Sequence, residues 1–325
     1  MKKVGAAFFN GGHPYQKYSA LKKIEMILII SKKQETTTNE VIKWLLAMDK
    51  KFIRVDEDEV FEIKTNEKRI YIQSHKNCFY IDEINSVWYR RGGLKFKNFK
   101  YDSPAVNVHM QEHQHWLQDY VIKKIESKKH INKQSNSAVN KLLVLEQAKK
   151  VGLDVPAYYL AENTDEVVLD KTIIKPLTGN ITINDYQDYA ESIMYTNIIE
   201  HKEKDSFFIT FFQEKIEKDF EIRSFYLNGE FFSTAIMSQS DERTKTDFRK
   251  YNLQKPNRNV RYNLPVEIEE KTHQLMLLLD VNCGSIDFIK SGEKFYFLEV
   301  NTVGQFLGVS ALCNYAAERA IAEYL

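Results

Sequence analysis

The chain has 325 residues, of which 43% are hydrophobic and 28% charged, and its net charge is +1. That balance is ordinary for a water-soluble globular chain with room for two or three lobes, and it offers no field for nucleic acid or a membrane surface. No apolar run approaches the roughly 18–20 residues of a membrane span, and the three cysteines (Cys78, Cys283, Cys313) are far apart and fit no metal or disulfide spacing, as expected in a reducing cytoplasm.

Residues 1–25 are basic, carry a Gly-Gly-His-Pro turn and lack periodicity. They read as a disordered N-terminal extension, or as an arm docking through Phe8 and Phe9. From Met26 the pattern is strand (27–30), helix (40–48), strand (51–55), and a hairpin around Thr65-Asn66-Glu67. Val87-Trp88-Tyr89-Arg90-Arg91-Gly92-Gly93 puts two arginines at a strand end, where α/β folds place ligands. A long helix over 106–126 carries His109, His113 and His115, but without the carboxylate or spacing of a zinc site. A second lobe opens near Asn132 with an amphipathic helix over 137–150 and strands at 155–160 and 172–176. Lys175, at a strand end before Pro176 and Thr178-Gly179-Asn180, suits a phosphate contact. An apolar strand, 207–212, runs into Gln213-Glu214-Lys215-Ile216, a hinge able to offer backbone groups to an adenine edge.

Asn228-Gly229 joins strands 219–227 and 231–236 in a type I′ hairpin, and Glu221 and Arg223 share one face of the first strand. They read either as a cross-strand ion pair or as phosphate and metal or ribose contacts. Residues 237–262 are polar and basic, with Asp247-Phe248-Arg249, and are long for a connector. After a helix over 266–279, the hairpin of Ser285–Ile289 and Phe295–Val300 can bring Asp287, Glu299 and Asn301 together. Alternation puts Glu299 on a face with Asn301 and Phe297. Two carboxylates and an amide oxygen are a hard donor set suited to magnesium beside a nucleotide phosphate. A glycine-punctuated loop, 302–308, and a helix over 311–324 end the chain.

Taken in order, these pieces resemble the ATP-grasp carboxylate–amine/alcohol ligases over about residues 26–325. The resemblance is carried by Lys141 in the run Asn140-Lys141, Leu145, Ala148, Gly152-Leu153, Pro156; by Lys175-Pro176; by the hinge; by Glu221-Ile222-Arg223; and by Asp287, Glu299 and Asn301. Within that superfamily the chain is similar to the macrocyclising ligases of graspetide (microviridin-type) biosynthesis, in particular the grasp-with-spasm peptide maturases. Val87–Arg91, Asp247–Tyr251 and Phe297–Phe306 carry this likeness. Phe248 and Thr302 stand where that family usually has Trp and Pro.

The implied fold class is α/β (α+β): a three-lobed ATP-grasp fold with an N-terminal domain over 26–131, a central lobe over 132–212 and a C-terminal antiparallel-sheet lobe over 213–325. The implied ligands are ATP and magnesium, two ions of it. Lys141 and Lys175 would hold phosphates, Arg223 the transferring group, and Gln213, Glu214, Lys215 and Ile216 the adenine, with Glu221 on ribose or metal. Asp287, Glu299 and Asn301 would hold magnesium; Asp247, Arg249, Arg90 and Arg91 would contact a ribosomal precursor peptide with its leader. Arg223, Lys175 and Arg249 are the implied catalytic residues. A cytoplasmic enzyme is implied, and related ligases are often homodimers. Two alternatives stay open: a ligase acting on free amino acids or a protein tail, and a nucleotide-binding protein without turnover.

Overall fold

The computed structural model describes residues 25–177, 182–184, 191–193, 196–202, 205–239, 254 and 256–325. Asp247, Arg249, Thr178-Gly179-Asn180 and the arm before residue 25 lie outside the described residues.

The first lobe contains β1 (Met26–Ile30), α1 (Thr36–Ala47), β2 (Lys51–Val55), β3 (Val60–Asn66), β4 (Arg69–Gln73), β5 (Cys78–Tyr80), β6 (Ile84–Tyr89), β7 (Lys95–Phe96), α2 (Pro104–Glu126) and β8 (Lys129–Ile131). Strands β2-β1-β6-β8 form a wholly parallel sheet, which explains the unbroken apolar run of β1: Ile27, Leu28, Ile29 and Ile30 are all buried between layers. A side sheet runs β5-β4-β3-β7, its β3–β4 turn made by Glu67 and Lys68 at φ 47° and 65°. At the carboxyl edge of the parallel sheet, the amides of Arg90 and Arg91 both donate to the Ile30 carbonyl, at 2.9 and 3.2 Å.

Next come α3 (Lys141–Lys150), β9 (Tyr158–Ala161), β10 (Thr172–Ile174), β11 (Thr182–Asn184), β12 (Glu191–Ile193), β13 (Asn197–Ile198) and β14 (Thr210–Glu214). Strands β13-β10-β14-β9 form an antiparallel sheet. The chain then forms β15 (Phe220–Leu227), β16 (Glu230–Met237), β17 (Arg258–Tyr262), α4 (Val266–Leu278), β18 (Cys283–Ser291), β19 (Lys294–Asn301), α5 (Leu307–Cys313) and α6 (Ala317–Tyr324). Strands β17-β16-β15-β18-β19 make a five-stranded antiparallel sheet. Its β15–β16 turn is Asn228-Gly229 at φ 46° and 102°, as a type I′ hairpin requires.

This last sheet is covered on one face by α3 and α4, where Ile222, Tyr226, Ile286, Phe288 and Phe297 meet Val144, Leu145, Leu275 and Met276. Leu275 is fully buried there, so Leu275→Ala is expected to destabilise the fold by about 3 kcal/mol, read as a shifted denaturant midpoint at unchanged slope. The opposite face is shared. Phe225, Leu227 and Cys283 pack into a core with Ile27, Ile29, Val41, Leu45 and Trp88 of the first lobe. Toward the other end that face is open.

Two features depart from the sequence reading. The C-terminal segment is two helices, broken where Asn314 and Ala316 take left-handed conformations, both at φ 56°. Neither Gly nor Pro marks the break; tertiary bonds hold it, from Tyr315 Oη to the Ser233 carbonyl (2.7 Å) and from the Ala317 amide to Ser310 Oγ (2.9 Å). By packing, α6 closes the first lobe, with Ala317, Ile321 and Ala322 against α1, although it is the last element of the chain. Among the described residues no helix is long and apolar enough to cross a membrane.

Candidate active site

The open face of the five-stranded sheet is the floor of a cleft of about 760 Å³, lying against the sheet of β10 and β14. The register builds the floor. Arg223 on β15 pairs with Asp287 on β18, Asp287 with Glu299 on β19, and Ser285 with Asn301. A β-bulge shifts the β18–β19 register after Asp287, which pairs with Glu299 while Phe288 pairs with Phe297. The extra residue, Leu298, resets the alternation. Phe297 and Val300 both enter the core, while Glu299 and Asn301 line the cleft. Phe297 therefore lies on the face opposite Glu299, against the simple alternation, and without the bulge Glu299 would be turned into the core.

Lys141 comes from the first turn of α3. The helix starts there rather than at 137 because Asn140 caps it, its side-chain oxygen accepting from the Leu142 and Leu143 amides at 3.0 and 3.3 Å. Lys141 Nζ stands 2.9 Å from Glu299 Oε2 and donates to the Pro176 carbonyl at 3.0 Å. It thereby ties α3 to the strand end that carries Lys175. On the floor Arg223 Nη1 lies 3.7 Å from Asp287 Oδ1, and Lys218 pairs with Glu221. Gln213, 1% exposed, is the penultimate residue of β14, with Glu214, Lys215 and Ile216 following along the cleft wall. The Lys215 amide is bonded to the Lys171 carbonyl at 2.8 Å.

Burial alone would raise the Glu299 carboxyl, but the Lys141 and Lys175 ammoniums, with hydrogen bonds from Lys141 and Asn301, hold it well below the usual carboxylate range. A lowered folded-state value contributes stability that is present in full above the unfolded value near ~4.3 and is lost as pH falls through the folded one. The stability gap between the ligand-free native chain and Lys141→Met should therefore stay constant from neutrality down to about pH 5 and narrow below it, in denaturant titrations repeated across pH.

The cleft brings together Lys141, Lys175, Gln213, Glu214, Lys215, Ile216, Glu221, Arg223, Asp287, Glu299 and Asn301, with Arg91 at its edge. Arg90 is placed elsewhere, and its reading as a peptide contact is corrected. It is 4% exposed, and its guanidinium donates to Thr37 Oγ1, Glu35 Oε1, the Val303 carbonyl and Gln305 Oε1. Its hydrogen-bonding capacity is turned onto the protein. Arg91, one residue on, is partly open and pairs with Glu35 Oε2 at 3.0 Å. Sequence reasoning missed Glu35, Thr37, Asn132, Lys218 and Gln305. Only Lys218, three residues before Glu221 beside the hinge, carried a local signal.

The donors fit magnesium. Asp287 and Glu299 sit directly opposite each other, the Asn301 amide nitrogen bonds Glu299 Oε1 at 3.2 Å, and these oxygen donors already attract the cations Arg223 and Lys141. His109, His113 and His115 are exposed on α2, and among the described residues no cluster of three His, Cys, Asp or Glu could hold a metal.

Three lobes with a cleft of this size between two antiparallel sheets, lined by both lysines and oxygen donors, are the arrangement of an ATP-grasp fold. Solved structures bear this out. The chain is similar to the RiPP-associated ATP-grasp ligase of Chryseobacterium gregarium in complex with ADP and a leader and core peptide, at 24% identity and a TM-score of 0.72, over 92% of this chain and 95% of that one. It is also similar to the macrocyclase MdnC of Microcystis aeruginosa MRC bound with precursor peptide MdnA, at 24% identity and a TM-score of 0.70, over 92% and 99%. A third, the macrocyclase MdnB of the same organism, matches at 21% identity and a TM-score of 0.67, over 93% and 99%. No family model and no curated protein matches the sequence.

Proposed function

We propose that the chain is a cytoplasmic, ADP-forming ATP-grasp ligase. Its substrate would be a ribosomally made precursor peptide guided by a leader, whose Asp or Glu side chains it joins to Thr/Ser hydroxyls (ω-esters) or Lys amines (ω-amides). The observation that carries this reading is the pair of ion pairs across one cleft, Lys141–Glu299 and Arg223–Asp287. These would bring cations suited to phosphate and carboxylates suited to a metal within reach of one polyphosphate. The similar solved structures, with ADP and leader and core peptides or a precursor peptide bound, support the substrate class.

A carboxylate is a poor acyl donor because oxide would have to leave. Attack of its oxygen on the γ-phosphorus of ATP expels ADP and gives an acyl-phosphate. Attack of a hydroxyl or amine on that carbonyl then expels inorganic phosphate. Asp287, Glu299 and Asn301 would hold magnesium, two ions in this reading, which would offset charge on the phosphate oxygens. Lys141 and Lys175 leave their carboxylate partner for the α- and β-phosphates, and Arg223 steadies the transferring group and the oxyanion. With the Lys215 amide engaged, the Lys215 carbonyl and the Ile216 amide are the groups for the adenine edge, Glu214 flanks them, and Gln213 fixes the end of the strand. Glu221 takes ribose or a metal. Arg91, with Asp247 and Arg249, would contact the precursor peptide.

Incubation with a leader-bearing precursor, ATP and magnesium should remove the mass of one water per bond formed, and Glu299→Ala should not do so. Unchanged peptide with mass gained on free amino acids would move the assignment to an amino-acid ligase. Nucleotide binding without product from either would leave a non-catalytic protein.

A further inference from the structure

The residues that follow Asn301 are held in an unusual way. The Thr302 carbonyl accepts from Asn132 Nδ2 at 2.8 Å, and the Thr302 hydroxyl donates to the Ser137 carbonyl. The Val303 carbonyl accepts from Arg90 Nη1 at 2.7 Å, and Gln305 Oε1 from Arg90 Nη2 at 3.1 Å. The Gly304 amide turns back to the Asn301 carbonyl at 2.9 Å, and the Gln305 carbonyl accepts from Ser285 Oγ at 3.1 Å. A Cβ on Gly304 would run into the Ser285 side chain and come 2.9 Å from the Asn301 carbonyl oxygen, so the loop is pressed flat on β18.

Arg90 is itself set by Glu35 and Thr37, which sit at the start of α1 and are buried, at 8% and 1% exposure. Burial pushes the Glu35 carboxyl up, but the Thr37 hydroxyl and the Arg90 and Arg91 guanidiniums bring it below its ordinary value, so it stays an anion between the two arginines. Glu35, Thr37 and Arg90 belong to the first lobe. None of them lines the cleft.

We infer that the Glu35–Arg90 pair is a positioning device: through the Val303 carbonyl and Gln305 it fixes the loop that orients Asn301, so the first lobe tunes magnesium-dependent nucleotide binding without touching the ligand. The inference rests on the reading of the cleft as a magnesium–nucleotide site. A guanidinium serves four acceptors in a fixed fork, and a lysine ammonium cannot reach all of them together. The hydroxyl of Thr302, bonded to Ser137, supplies at that position part of the stiffness a proline would give.

The test is calorimetric titration of ADP into the full chain, with magnesium and with chelator, for the native protein, Arg90→Lys and Glu35→Gln. The readout is the ratio of the two dissociation constants. The expected result is that Arg90→Lys keeps its affinity in chelator within about twofold but loses at least about tenfold of the gain from magnesium, roughly the loss typical of removing an outer-shell partner of a metal ligand. Glu35→Gln, which keeps the shape of the pocket and one hydrogen bond to Arg90, should lose a smaller part. Full magnesium gain in Arg90→Lys, or equal loss of affinity with and without magnesium, would overturn the inference. The first would show that the loop holds itself, and the second that Arg90 serves general packing. A native chain that binds ADP no better with magnesium would remove the reading of the cleft, and this inference with it.

Discussion

Glu299→Ala is expected to lower the rate of ATP-dependent condensation by about a thousandfold or more, a loss of roughly 4 kcal/mol of transition-state stabilisation. Glu299 does two things at once. It lies opposite Asp287, where the proposed site would use it as a metal donor, and it pairs with Lys141 at 2.9 Å. Removing it would take away that proposed donor and leave the ammonium to seek another partner. The side chain is partly open to the cleft, so the cost to the fold should be smaller than the ~3–5 kcal/mol of breaking a fully buried pair. Glu299→Gln keeps the shape and one oxygen; it separates the metal role from packing. Condensation rates followed by peptide mass, beside denaturant unfolding of the same samples, test the separation. Activity retained within tenfold in Glu299→Ala would contradict the placement of the metal site.

Arg223→Lys should cost about 10²–10³ in turnover while ADP affinity in magnesium changes by no more than a few-fold. The charge survives, but the planar fork that faces Asp287 at 3.7 Å, with the geometry to address two oxygens of a transferring group, does not. A residue acting on the transferring group loses kcat; one acting on bound nucleotide loses affinity equally with and without reaction. Single-turnover rates and ADP titrations on one preparation distinguish them, and a matched fall in both would assign Arg223 to ground-state binding.

What the sequence made legible followed from local rules. Alternation put Glu221 and Arg223 on one face of β15, and Asn228-Gly229 pinned the β15–β16 register, whereas the pairing of Arg223 with Asp287 across β15 and β18 joins strands distant in sequence. Lys141 at a helix start and Lys175 at a strand end were readable as positions, though the bond that joins their elements through the Pro176 carbonyl was not. The bulge at Leu298 was hidden because it depends on which core each of Phe297 and Val300 enters, a tertiary matter that no periodicity within β19 records. The role of Arg90 was hidden for a related reason. Two adjacent arginines at a strand end look alike in sequence, but successive side chains diverge, and one was drawn inward by Glu35, 55 residues earlier. The break between α5 and α6 needed Ser233 and Ser310 to hold left-handed Asn314 and Ala316, which local propensity disfavours.

Activation of a side-chain carboxylate by phosphoryl transfer is the step that distinguishes the proposed ligase from every alternative. The direct measurement uses a precursor peptide whose Asp and Glu carboxylates carry heavy oxygen, incubated with the chain, ATP and magnesium, with the released phosphate analysed by mass. If the carboxylate attacks the γ-phosphorus, one heavy oxygen appears in inorganic phosphate for each ester or amide formed, and none appears with Glu299→Ala. Bond formation with unlabelled phosphate, or label in phosphate without any bond, would contradict the mechanism derived from this cleft.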